Sequence, residues 1–344
     1  MSSEGQAQPV AITEDEAALY DRQIRLWGLE AQERMRNATI LVVNLKGVAH
    51  ETIKNIVLAG IGTLICYDSG VVDEEDLGAG FLFREENVGK KRTDAARPNI
   101  EALNPLVTVK TLSDPQDISD AALPTLLKDT HLVCVTDSSR GELIRFDNAC
   151  RQSQTMFYAG GTYGLMGYIF VDLQSHHHLA PDRSQKVAPD AQPKMVRETL
   201  NYPSLSEALG SLGTTYKKLS KRATKDTNPS NLIAILALWE FQERHPPAEN
   251  NNPSGGSAEL VTIANELIKS TGINPQVLPP MSSDTAESLL RTSPHEFSPT
   301  CAVLGGLLAQ DVLKALAGRE PPFANLLTFD GAVGGGNVTA LGMS

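Results

Sequence analysis

Residues 39 to 68 constrain the fold more than any other stretch. Thr39-Ile-Leu-Val-Val43 is short, apolar and β-branched, as a strand covered on both faces requires. A tight loop follows, Asn44-Leu45-Lys46-Gly47-Val48-Ala49-His50, and Ile53, Ile56 and Val57 then recur at helical spacing from about 48 to 58. Gly60 and Gly62 end that helix, and residues 63 to 67 read as a second strand that closes on Asp68. Strand, tight loop, helix, strand is a βαβ unit, whose crossover joins parallel strands.

The alternation continues with a helix near 91 to 103, a strand at 107 to 112 and a helix near 121 to 127. A strand at 131 to 135, a helix near 141 to 151 and a strand at 155 to 158 follow. The fold class this predicts is α/β: a Rossmann-like, mostly parallel sheet with helices on both faces. Pro98, inside the predicted helix at 91 to 103, should kink it or mark its first turn. From Gly160 the glycine-bent pattern predicts added antiparallel strands, because it departs from another βα repeat.

Residues 175 to 195 read as a polar linker and 246 to 257 as a loop, with helical stretches at 232 to 241 and 258 to 268. Residues 176 to 297 are therefore expected to form an inserted, mainly helical subdomain. The apolar run from Cys301 to Leu316 should be a helix buried on the sheet, its glycines allowing close approach. A strand at 326 to 329 then ends at Asp330-Gly331. This makes the nucleotide-type domain discontinuous, 13 to 175 plus 298 to 344, after a disordered tail at 1 to 12. Thr13 and Glu16 have capping-box spacing and should open one amphipathic helix through Asp21, Ile24 and Leu26.

Composition removes several function classes. With 344 residues, 41% of them apolar, the chain can bury a substantial core. A formal charge of -11 argues against a general binder of nucleic acid or anionic membrane. The opening MSSEGQAQPV lacks a signal-peptide core and no run of about 18 apolar residues stands out, so the expectation is an intracellular chain without a membrane span. Cys66, Cys134, Cys150 and Cys301 form no CxxC pair and read as buried, inert thiols.

The loop at 44 to 50 carries the functional argument. A phosphate-binding turn of this type places glycines at GxGxxG spacing so that the backbone can turn tightly and approach the pyrophosphate. Those positions are Asn44, Lys46 and Ala49, and only Gly47 beside them is a glycine. Side chains now occupy space that a pyrophosphate would use. The preferred reading is a structural remnant; a working ATP loop of unusual form is its rival. Asp68 stands where an acidic residue would hold a ribose hydroxyl.

Two segments resemble one family, the ThiF-type enzymes that activate ubiquitin-like proteins by adenylating the modifier's C-terminal glycine. Tyr20-Asp-Arg-Gln-Ile-Arg-Leu-Trp-Gly-Leu-Glu-Ala-Gln32 is similar to the N-terminal helical segment of the smaller, non-catalytic subunits of heterodimeric members. Pro299-Thr-Cys-Ala-Val-Leu-Gly-Gly-Leu-Leu-Ala-Gln-Asp-Val-Leu-Lys-Ala-Leu316, with Phe329-Asp330-Gly331, is the second match. The resemblance covers both sheet-forming segments and is faint over 176 to 297. Length and pattern lie nearest the SUMO branch, because the Nedd-type subunit is usually much longer.

By this resemblance, adenylation uses a glycine loop, the acidic ribose contact, an Asn-x-x-Arg segment after the second strand, and an Mg2+-binding Asp after the strand at 131 to 135. Here no Asn-x-x-Arg follows Asp68, and the Mg2+ position falls on Ser138, with Asp137 adjacent. Residues 151 to 300 hold no cysteine for a thioester, and 13 residues follow Gly331 where the larger subunit continues into a ubiquitin-like domain. The resemblance thus implies a regulatory subunit whose own pocket, at Asn44, Lys46, Gly47, Ala49, Asp68 and Ser138, is degenerate and holds neither nucleotide nor metal. ATP and Mg2+ belong to the site of the larger catalytic subunit, the partner in a heterodimer that has SUMO as its substrate. Arg22 is the implied catalytic contribution, reaching in trans to the partner-bound ATP; pairing with Asp21, Glu16 or another helix-surface carboxylate is the alternative. Arg25 is expected to be an ion-pair residue.

The rival functions are a self-sufficient homodimeric adenylating enzyme, a non-catalytic subunit for another ubiquitin-like modifier, and an NAD-dependent oxidoreductase. The first and the last need the missing glycines. His176-His177-His178 has no second ligand cluster and is not expected to hold metal. Lys217-Lys218-Leu-Ser-Lys221-Arg222 has two open readings, a nuclear import signal and a solvated helix face. The expected location is the nucleus, with the cytoplasm as a second site. Trp27 and Trp239 are expected to anchor a core or an interface.

Overall fold

The computed structural model describes residues 11–181, 194–245 and 256–343. The first five strands are β1 Thr39–Val43, β2 Thr63–Tyr67, β3 Thr108–Leu112, β4 Leu132–Thr136 and β5 Met156–Tyr163. They pair in parallel in the order β3-β2-β1-β4-β5. Past β5 the sheet continues antiparallel through β6 Met166–Asp172, then across to two later strands described below, as the glycine-bent pattern from Gly160 predicted.

Side chains of β1 alternate between two cores because successive residues of a strand face opposite ways. Ile40 and Val42 join one apolar cluster with the helices Gly47–Leu58, Arg92–Leu103 and Ser298–Ala317. Leu41 and Val43 join the other, with Arg140–Gln152, Pro229–Arg244 and Gly256–Thr271. Both faces are thus covered by helices, and the helical stretch after β6 supplies much of the second layer. Trp239 belongs to this layer: it is 1% exposed, meets Tyr168 edge-on at 4.9 Å, and donates from Nε1 to the Tyr163 hydroxyl at 2.7 Å.

The helices Gly47–Leu58 and Ser298–Ala317 pack closest at Gly305. A Cβ there would lie 2.4 Å from Glu51 Cβ and 2.8 Å from the Val48 carbonyl, so only glycine permits the approach. The expectation about glycines in this apolar run is met. Ile53, Ile56 and Val57 are fully buried beneath it, each worth about 1.5–3 kcal/mol in transfer terms.

Several expectations need correction. The Thr13 capping box forms, with Thr13 Oγ1 accepting from Glu16 N–H at 3.2 Å and Glu16 accepting from Thr13 N–H at 3.0 Å. The helix it opens is nevertheless broken into Glu14–Leu19, Asp21–Trp27 and Leu29–Arg36, the second break falling at Gly28 with φ 88°. Leu26, on the second of these pieces, is 80% exposed. The predicted linker at 175 to 195 instead contributes β7 Ser175–Pro181, which pairs antiparallel with β8 Met195–Asn201 as a separate hairpin. Beyond β9 Leu326–Asp330, the strand β10 Gly335–Thr339 forms an unpredicted edge of the main sheet. Pro98 lies inside Arg92–Leu103, past its first turn. Ser298–Ala317 is also long and apolar enough to cross a bilayer by composition, contrary to the sequence expectation; it lies here as a core helix, with Leu304, Leu308 and Val312 fully buried. The tail at 1–10 and most of the loop at 246–257 lie outside the described residues.

Candidate functional site

The strand order reverses between β1 and β4, and in open α/β sheets ligands bind in the crevice at the carboxyl ends of such strands. Each of these strands ends in a left-handed residue, Asn44 at φ 67° and Asp137 at φ 44°. Asn44 takes over the first glycine's turn, held by its Nδ2 donating to the Thr136 carbonyl at 2.8 Å. A cleft of about 770 Å³ opens here, lined by Lys46, Asp137, Ser138, Thr162, Tyr163 and Glu296 among others.

The groups a nucleotide would use are engaged internally. The Gly47 N–H, at the start of the helix Gly47–Leu58, donates to Glu296 Oε1 at 2.7 Å. A carboxylate therefore occupies the place where this turn would present its amides and helix dipole to phosphate. The spot is crowded as well: a Cβ on Gly47 would meet Cys301 Sγ at 2.9 Å and Ala79 Cβ at 3.0 Å. Lys46 is drawn away to Asp76 Oδ1 at 2.7 Å, and Arg92 Nε holds the other Asp76 oxygen at 2.8 Å. Asp68 accepts from Leu45 N–H and from Gly70 N–H, each at 2.7 Å, so a ribose hydroxyl would have to share an oxygen already engaged by the backbone.

Ala49 is buried in the helix, and its neighbour His50 is wedged edge-on against Phe81 and Phe83. Burial pushes the His50 imidazole down to about 3, so it stays neutral at physiological pH. Ser138 lines the cleft at the expected Mg2+ position. Beside it, Asp137 Oδ1 accepts from Thr162 N–H at 3.0 Å, while Oδ2 is buried without a partner. Burial and the neighbouring Glu296 charge push Asp137 up to about 7, and burial raises Glu296 too. These residues do not fit a bound nucleotide and its metal: the helix amide is capped, the lysine is paired, and the remaining carboxylates would face the phosphates.

Glu296, Asp76 and Arg92 were not singled out from the sequence. Arg92 and Asp76 belong to charged stretches that look solvent-facing, and Glu296 lies 249 residues from Gly47, so no local signal links them.

Arg22 lies on Asp21–Trp27, exposed, with no hydrogen bond or ion pair among the described residues. Its expected competitors are occupied: Asp21 pairs with Arg25 at 2.9 Å and Glu16 with Arg36 at 2.7 Å. Arg25 is thus the ion-pair residue, although so exposed a pair contributes little stability. Around Arg22, Leu19 is 63% and Leu29 49% exposed, adding to Leu26 an apolar surface on the same segment. Trp27 is half-buried, its Nε1 donating to Gln32 at 3.2 Å.

The other sequence features fall elsewhere. Strand alternation separates His177 from His176 and His178, whose rings lie parallel at 6.3 Å. The basic run 217 to 222 spans the end of Leu212–Lys218 and the start of Lys221–Asp226, with its four cationic residues exposed. All four cysteines are free and buried, and burial pushes the thiols of Cys66 and Cys301 up to about 12.

A parallel α/β sheet with a cleft at its switch point, a carboxylate seated on the helix N-terminal amide there, and an exposed arginine without a hydrogen bond or ion pair among the described residues together define a nucleotide-binding-type domain with an altered phosphate turn. The chain belongs to the ThiF family, matched over residues 20–339. It is 35% identical over 347 residues to SUMO-activating enzyme subunit 1 of Bos taurus, covering 96% of each chain. The Homo sapiens protein of that name is 34% identical, again over 96% of each, and the Xenopus tropicalis one 32% over 97% of this chain and 98% of its own. In fold, the chain is similar to the selenomethionine crystal structure of PaaA, with TM-score 0.60 and 14% identity, covering 98% of this chain and 86% of that one. The family resemblance and the α/β fold class expected from the sequence are both borne out. Activating enzymes of the ThiF family use ATP and Mg2+.

Proposed function

We propose that this chain is the non-catalytic, regulatory subunit of a heterodimeric SUMO-activating enzyme. Its larger partner holds ATP and Mg2+ and carries out ATP-dependent adenylation and thioester activation of SUMO. The observation that carries this reading is Glu296 seated on the Gly47 N–H, a carboxylate where the chain's own turn would receive a phosphate. Curated relatives named as subunit 1 of the SUMO-activating enzyme, similar over nearly their whole length, support the choice of modifier and of subunit.

Arg22 is this chain's contribution to the chemistry. Its guanidinium reaches in trans to the triphosphate in the partner's site and neutralises charge on the leaving pyrophosphate. An exposed arginine without a partner among the described residues, on a segment with exposed leucines, supports that role. The test is ATP–pyrophosphate exchange with SUMO. The chain alone should show none, and the complex should exchange. Arg22→Ala should leave the complex intact and slow exchange roughly 10- to 150-fold, the equivalent of one charge-assisted hydrogen bond of about 1.5–3 kcal/mol. Exchange by the chain alone would overturn the reading of the subunit. Wild-type exchange by an intact Arg22→Ala complex would overturn the role of the arginine only.

A further inference from the structure

The cleft at the ends of β1 and β4 is lined by both basic and acidic side chains. Its basic side chains already have acidic partners: Lys46 has Asp76 at 2.7 Å, Arg140 has Glu240 at 2.8 Å and Glu243, and the His245 ring lies 2.8 Å from Glu259. His295 also lines the cleft. Two carboxylates remain with capacity to spare. Glu296 uses Oε1 on Gly47, and its other oxygen has no hydrogen-bond partner among the described residues. Asp137, which lines the cleft, uses Oδ1 on Thr162, while its Oδ2 is buried and unpartnered. A buried carboxylate oxygen without a donor is costly, and a donor entering the cleft removes that cost.

The walls beside these carboxylates select among donors. Tyr163, whose hydroxyl accepts from the buried Trp239 Nε1 at 2.7 Å, gives the cleft an aromatic side. Carboxylates next to aromatic rings suit a guanidinium or primary ammonium group, which combines charge-assisted hydrogen bonds with cation–π attraction. A bare divalent ion would want more oxygen ligands, and no group of three or more candidate metal ligands exists among the described residues.

We infer that this cleft, vacated by nucleotide, is a binding site for an organic cation, a guanidinium or primary ammonium group held between Asp137 and Glu296. The group comes either from a free amine or from a basic side chain of a bound polypeptide, and the chemistry of recognition is the same.

The experiment is amide-resolved NMR titration of the full chain, following Thr162 and Gly47, whose N–H groups bond the two carboxylates. Agmatine and the peptide acetyl-Gly-Arg-Gly-amide are the probes, with MgCl2 and ATP as separate arms. Saturable shifts of both amides by agmatine or the peptide are expected. Equal affinity for the two probes would point to a free amine, and tighter binding of the peptide to a polypeptide source. Asp137→Asn should weaken binding at least about tenfold, the loss of one charge-assisted contact. If that variant fails to fold, Glu296→Gln decides: its amide oxygen still caps Gly47 while the charge is gone, so binding should weaken severalfold. Lys221→Ala, outside the cleft, should bind as wild type. Shifts produced by MgCl2 or ATP and not by the organic cations, no saturable shift with either probe, or wild-type affinity in the folded acidic-site variants would overturn the inference.

Discussion

Asp76→Asn tests whether the network that pairs Lys46 and Arg92 beside the loop at 44 to 50 is structural. The Asp76 side chain is fully buried and accepts from Lys46 at 2.7 Å, Arg92 at 2.8 Å and the Asp73 N–H at 3.1 Å. Removing one member of a buried charge pair costs about 3–5 kcal/mol, because the partner is left uncompensated. Here Lys46, 31% exposed, can swing into solvent, and Arg92 keeps Asp73 at 3.3 Å and Asp68 at 3.6 Å. These outlets place the loss near the lower end, about 3 kcal/mol at pH 7. Burial works to raise the Asp76 pKa, but hydrogen bonds from Arg92 and Lys46 outweigh it and hold the carboxyl below its ordinary value. The unfolded chain therefore binds the proton first as pH falls, so the contribution is complete above the unfolded value of about 3.9 and shrinks below it. Urea denaturation of both proteins at pH 7 and across the acid range measures this. A difference under about 1 kcal/mol at pH 7, or one that widens as pH falls, would refute the assignment.

Asp311→Asn should show the opposite pH dependence. Asp311 accepts from the Tyr158 hydroxyl at 2.9 Å and from Phe323 N–H at 3.0 Å, yet burial pushes it up to about 6. Its folded pKa lies above the unfolded one, so wild-type stability is greatest below about pH 4 and declines as pH rises to about 6; relative to Asn, the loss approaches roughly 3 kcal/mol by pH 7. A constant difference between variant and wild type over that range in urea melts would contradict it. At the helix contact, Gly305→Val should destabilise by about 1–3 kcal/mol or more through overpacking. Gly306→Ala, whose Cβ meets nothing within 4 Å, should instead gain up to about 1 kcal/mol of helix propensity. Thermal melts that rank the two alike would show that Gly305 is not the point of closest approach.

What could be read from the sequence depended on whether burial imposed a period. β1 and β2 match their predicted limits because layers on both faces make all but their first residues buried and the flanking turns abrupt. The hairpin β7–β8 was missed for the converse reason: its inward positions include His176 and His178, which look polar, and most of β8 is exposed, so no alternation shows. An amphipathic period also does not say whose core it serves. Leu26 fits a helical stripe, but Gly28 breaks the helix and the leucine faces outward, as a subunit surface would require. At the crevice, the absent glycines at 44, 46 and 49 were legible, whereas Glu296, the carboxylate on the Gly47 N–H, comes only after the helices of the second face. Losing those glycines does not remove the N-terminal amides of the helix Gly47–Leu58 or their preference for an anion. With no side-chain cap at Lys46, that preference is met by Glu296, so the turn persists as a fold element because its old electrostatic requirement is still satisfied, now from within the chain.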